Sequence, residues 1–94
     1  MKITPRNILR HEIIGLEIEV AGSTNSSLKG IKGVVIDETM KTLLIETSTG
    51  RRVRVPKSTC DFIFRLPDGT RVLVEGRYLV GRPEDRLKRR LKDW

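Results

Sequence analysis

The chain has 94 residues, which allows one domain and little more. Lysine and arginine total 19 against 12 aspartates and glutamates, giving a formal charge of +7 and a pI near 10.2, so a polyanion is the expected partner: RNA, DNA or an acidic membrane surface. One cysteine excludes an internal disulfide, and one histidine with one cysteine cannot complete a zinc site that needs about four ligands. No apolar run approaches the roughly 20 residues of a membrane helix, and Met1-Lys2-Ile3 opens without a signal-peptide core. A cytoplasmic protein is expected.

Thr4-Pro5-Arg6-Asn7 has helix-start chemistry, because threonine caps and proline at the first helical position wastes no N–H. Ile8, Leu9, Glu12 and Ile13 follow at helical spacing and Gly15 can end the run, so a short helix over 4–14 is expected. Leu16, Ile18 and Val20 alternate with Glu17 and Glu19, the period of a half-buried strand. Residues 21–29 are polar and turn-rich and read as a mobile loop. A second strand spans 30–36, where Gly30 and Gly33 suggest a bend or bulge. After a turn at 37–41 comes a third strand over 42–47, with a tight hairpin loop at 48–50.

The fourth strand, 51–55, sets Val53 and Val55 on one face and Arg52 and Arg54 on the other, and Pro56 stops it. Lys57–Cys60 has room for one helical turn. Phe62 and Phe64 point together from a fifth strand over 61–65, Pro67-Asp68-Gly69 makes a turn, and a sixth strand spans 71–75. A basic helix is expected over 83–93, with Glu84 and Asp85 first and Arg86, Lys88, Arg89, Arg90 and Lys92 last, as the helix dipole favours. Leu87 and Leu91 form its thin apolar stripe. Five or six short strands with tight turns suit a small closed barrel, since closure removes exposed edges. The expected organisation is an N-terminal extension over 1–15, a β core over 16–76 and a basic C-terminal helix over 77–94.

No catalytic constellation stands out. His11 and Cys60 fall in a terminal helix and beside a core strand, where a free cysteine is ordinarily inert. Asp37 and Glu38 form an acidic pair suited to Mg²⁺ or acid–base work, although a solvated turn is the commoner use. Gly30-Ile31-Lys32-Gly33 lacks phosphate-loop spacing.

The basic groups say more. Arg52 and Arg54 with Lys57, Lys29 and Lys32 around the second strand, Arg71, and the later Arg82, Arg86, Arg89 and Arg90 are candidates for one phosphate-binding surface. That surface exists only if the strands bring them together; otherwise they are solvated strand positions. Aromatics are few, so binding is expected to rest on phosphates and RNA shape rather than stacked bases. Ile8, Leu9 and Ile13 offer an apolar face that either packs on the barrel or docks a partner, with docking slightly favoured because terminal elements on a small core are weakly held.

Several blocks in order resemble a known family: Leu16–Val20, Gly30-Ile-Lys-Gly-Val-Val-Ile-Asp-Glu-Thr39, Thr42–Glu46, Val53-Arg-Val-Pro-Lys57 and Gly76-Arg-Tyr-Leu-Val-Gly-Arg-Pro-Glu-Asp-Arg86. The chain resembles the archaeal ribonuclease P protein component 1 family, counterpart of a eukaryotic subunit shared by RNase P and RNase MRP. The resemblance implies a mostly β, Sm-like or SH3-like antiparallel barrel of five to six strands with short terminal helices. It implies a non-catalytic subunit that assists removal of the 5′ leader from precursor tRNA, where RNA is the catalyst and Mg²⁺ its metal, and the protein itself binds no cofactor. It also implies pairing with a zinc-ribbon subunit through segments near Ile8, Leu9 and Ile13 and the helix of Leu87 and Leu91. RNA contact would then fall to Lys29, Arg52, Arg54, Lys57, Arg82 and Arg86. The rival readings are a ring-forming Sm-type RNA chaperone, a ribosome-associated SH3-like module, and a metal-dependent hydrolase using Asp37 and Glu38.

Overall fold

In a computed structural model, residues 3–82 are described. The expected helix over 83–93, with Arg86, Leu87, Arg89, Arg90 and Leu91, lies outside the described residues. Six strands carry the fold: β1 (Glu17–Ser23), β2 (Lys32–Glu38), β3 (Thr42–Glu46), β4 (Arg52–Pro56), β5 (Cys60–Arg65) and β6 (Arg71–Glu75). They form one antiparallel sheet in the order β4-β3-β2-β1-β5-β6.

The alternation seen in the sequence decides the faces. Ile18, Val20, Val35, Leu43, Ile45, Val55, Phe62, Phe64 and Val74 turn inward and are buried. Because the strand period is two, a slip of one residue in any strand would turn its apolar set to water, which fixes the register. Phe62 and Phe64 pack tilted, ring centres 6.2 Å apart, at the heart of this core. The Cys60 thiol is buried and donates to the Ser23 hydroxyl across the β5–β1 pairing.

Gly30 makes the expected bend, with φ of 90° in the turn before β2, but the expected bulge lies elsewhere. The ladder irregularities fall between Val20 and Gly22 and between Val35 and Asp37, not at Gly30 or Gly33. Gly33 serves a different need: a Cβ there would collide with the Glu46 carbonyl, so glycine lets β2 and β3 approach. The segment after β1 is tied back onto it, with Gly30 N–H donating to Val20 O and Val20 N–H to Ile31 O, both at 2.8 Å.

The sheet is also open rather than closed, since β4 and β6 are its two margins. Pro56 ends β4 with a residue that has no N–H to give to a further ladder. The segments that follow the two margins meet instead. Gly76, opening a 3₁₀ turn at Gly76–Leu79, lies so close to the Lys57 and Cys60 carbonyls that any side chain would collide with them.

The N-terminal segment departs most from expectation. In place of a helix over 4–14 there is a single 3₁₀ turn, Ile8–Arg10. Asn7 accounts for this: its side-chain oxygen takes the Thr4 N–H at 2.7 Å, the local competition by which asparagine diverts backbone from helix. His11 is already extended, so the helical nucleus is never completed. Burial then fixes the path, for Ile3, Ile8, Leu9 and Ile13 all join the core. Gly15, with φ of 96°, turns the chain and donates to Val35 O at 2.7 Å. Among the described residues no helix is long and apolar enough to cross a membrane.

Candidate nucleic-acid interface

The register sets charges in rows on the outer face. One row crosses the whole sheet as Arg52, Glu46, Val34, Glu17, Arg65 and Arg71. The next carries Lys32, Glu19, Ile63 and Leu73. All of these residues except Arg52 and Leu73 line a groove of about 880 Å³.

The bases here are not a free positive surface. Arg52 Nε lies 3.2 Å from Glu46, Arg65 Nε 3.7 Å from Glu17, and Lys32 Nζ and Arg71 Nη2 both 3.9 Å from Glu19 Oε1. Lys32, Arg52 and Arg65 lie directly across from their glutamates while Arg71, opposite Arg65, reaches Glu19 diagonally, and these pairs cancel much of the field the bases would project. Lys32, Arg52 and Arg71, expected to be phosphate ligands, thus sit in a chequered face. Arg65 belongs with them and was missed, although its parity with Ile63 along β5 marks it as outward.

Lys57 is corrected outright. Its side chain is fully buried, with Nζ 2.7 Å from Glu38 Oε2 and donating to the carbonyls of Thr39, Met40 and Gly81. It cannot touch RNA from there. The same pairing removes Glu38 from the solvated turn and from the hydrolase reading, while Asp37 turns its carboxylate to the Glu38 N–H. Ile8, Leu9 and Ile13 likewise pack on their own sheet rather than showing a docking face.

Arg54, Lys29 and Arg82 fare differently. All are exposed, and no described carboxylate lies within ion-pair distance of them. Arg54 donates instead to the Thr42 hydroxyl at 3.0 Å. Lys41, in the β2–β3 turn, shares this condition and was not singled out, because only the fold joins its turn to β4, where Arg54 donates to the neighbouring Thr42 and the Lys57 N–H to Lys41 O.

Tyr78 is exposed, with the Arg77 guanidinium 4.7 Å over its ring. Glu75, then Tyr78, raise the Arg77 pKa, with no change of charge state since arginine is already protonated. Among the described residues no group of three or more His, Cys, Asp or Glu side chains is placed to hold a metal ion. His11 Nδ1 lies 3.0 Å from Glu12 O.

Fold and surface together describe a small basic protein built on one curved antiparallel sheet with an acid–base-patterned outer face. The family profile of ribonuclease P/MRP, subunit p29, matches residues 6–89. Ribonuclease P protein component 1 of Methanocaldococcus jannaschii is 53% identical over 90 residues, covering 96% of this chain and 94% of the relative. The protein of the same name from Thermofilum pendens is 53% identical over the full length of both chains. The solved structure of Mth11, a homologue of human RNase P protein Rpp29, shares 49% identity at a TM-score of 0.61, covering 81% of this chain and 97% of that one. The chain belongs to the ribonuclease P/MRP subunit p29 family and is a ribonuclease P protein subunit. The ring-forming and ribosomal readings give way to that membership.

Proposed function

We propose that this chain binds the RNA of ribonuclease P and assists removal of the 5′ leader from precursor tRNA without supplying catalytic groups. Its carrying observation is how the charge is distributed. Four bases of the sheet face, Lys32, Arg52, Arg65 and Arg71, are met by three glutamates, so that face holds little of the net charge of +7 and most of the excess belongs to other residues. Unmatched guanidinium and ammonium groups lower phosphate repulsion and let RNA fold compactly. The groups with reactive potential are engaged structurally, Glu38 by Lys57 and the Cys60 thiol by Ser23. In this reading Mg²⁺ belongs to the RNA, a zinc-ribbon subunit is the protein partner, and the free chain is a cytoplasmic monomer.

The test is reconstitution. The chain, a zinc-ribbon subunit and an RNase P RNA transcript are combined, and precursor-tRNA cleavage is followed at limiting Mg²⁺. Stimulation that depends on this chain is the expected result, and its absence would overturn the reading.

A further inference from the structure

Three exposed bases stand on the β2–β3 turn or on segments hydrogen-bonded to it. Lys41 lies in the turn itself. Arg54 reaches it from β4 through the Thr42 hydroxyl, which also sits 2.6 Å from the Thr39 hydroxyl. Arg82 arrives through Gly81, whose N–H donates to Met40 O at 2.8 Å.

Beneath them lies the buried Lys57. Its ammonium bonds the Thr39, Met40 and Gly81 carbonyls, and its backbone N–H donates to Lys41 O at 2.8 Å. One side chain therefore fastens the turn, the end of β4 and the segment after β6 to one another. Its charge also cancels Glu38, the carboxylate directly below the turn. Asp37, the next nearest acid along the chain, is separated from Arg54 by the Leu44 position on β3.

We propose that Lys41, Arg54 and Arg82 form a phosphate-binding patch for RNA, held rigid by the Lys57–Glu38 pair, and that the glutamate-paired rows of the outer sheet face are not the principal RNA contact. This deepens the function proposed above and rests on it. The contrast is in the pairing: Lys32, Arg52, Arg65 and Arg71 lie against three glutamates, two of them sharing Glu19, whereas none of Lys41, Arg54 and Arg82 has a described carboxylate within ion-pair distance. The planar guanidinium fork is pre-organised for phosphate, so less freedom is lost per hydrogen bond formed. Exposed Met40 adds apolar contact but no base-stacking ring, so recognition here is of backbone rather than of sequence.

The experiment compares two triple variants that lose the same net charge. Binding of an RNase P RNA transcript is measured across a salt series for the wild type, for Lys41→Ala/Arg54→Ala/Arg82→Ala, and for Arg52→Ala/Arg65→Ala/Arg71→Ala. The turn variant is expected to flatten the log K against log salt slope by about 2 to 3, since each lost phosphate contact removes roughly 0.7 to 0.9. The sheet variant is expected to change it by less than about 1. A turn variant restored to charge (Lys41→Arg/Arg54→Lys/Arg82→Lys) should recover the wild-type slope, which separates lost contacts from lost folding. Equal flattening in both alanine variants, or none in the turn variant, overturns the patch while leaving RNA binding intact. A turn variant that keeps its RNA slope but loses a protein subunit would make the patch a protein contact and also overturn it. Failure of the wild type to bind RNA would instead overturn the function itself.

Discussion

Lys32 and Lys57 each face a glutamate, yet they belong to different physical regimes. Lys32 Nζ is 3.9 Å from Glu19, and the two side chains are 72% and 31% exposed. Water and salt screen that attraction, and exposed pairs of this kind contribute about 0–1 kcal/mol. Lys57 Nζ is 2.7 Å from Glu38 with both side chains wholly buried. Burying two charges carries a desolvation cost that only close contact and further hydrogen bonds offset, and the three carbonyls around Lys57 supply those bonds. The sheet face uses ion pairs to mute its charge, while the turn uses one to lock geometry.

Substitutions should separate the two regimes. The largest loss is expected for Lys57→Ala, about 3–5 kcal/mol by denaturant unfolding, because Glu38 would be left buried and uncompensated. Lys57→Met with Glu38→Leu should recover most of it, and a double variant as unstable as the single one would contradict the pairing argument. Ile13→Ala should cost about 2–5 kcal/mol if the N-terminal segment belongs to the core of the free chain. A loss well under 1 kcal/mol would return that segment to the role of a partner-dependent extension. Lys32→Ala should stay within about 1 kcal/mol, with a salt dependence too weak to resolve. A larger effect would mean that the sheet-face pairs do more than mute charge.

Much of the architecture was legible because alternation of apolar and charged residues is a direct consequence of strand geometry. Val53 and Val55 against Arg52 and Arg54, and Phe62 and Phe64 against Asp61 and Arg65, gave correct faces. What failed was decided by partners distant in sequence. The helix expected over 4–14 rested on spacing, but three isoleucines and a leucine in a short terminal segment gain more by covering the sheet. The sequence held a clue to Lys57 as well. It shares inward parity with Val53 and Val55, and reading Pro56 as the end of the pattern hid it. Its partner Glu38 follows a ladder irregularity in β2, which no residue-by-residue period reveals. For the interface, the arginines were identifiable but not their neutralising glutamates, because cross-strand neighbours exist only once the register is known.

The open sheet has a last consequence for how the molecule keeps to itself. Among the described residues no further strand pairs with β4 or β6, and the unpaired peptide groups of such a margin are a template for another copy. Self-recruitment along β4 would be antiparallel and two-fold symmetric, so Arg52 and Arg54 would confront the same arginines of the incoming strand. Electrostatic repulsion, with a proline at the strand's last position, discourages polymer growth from that side without the chain having to seal its own ring.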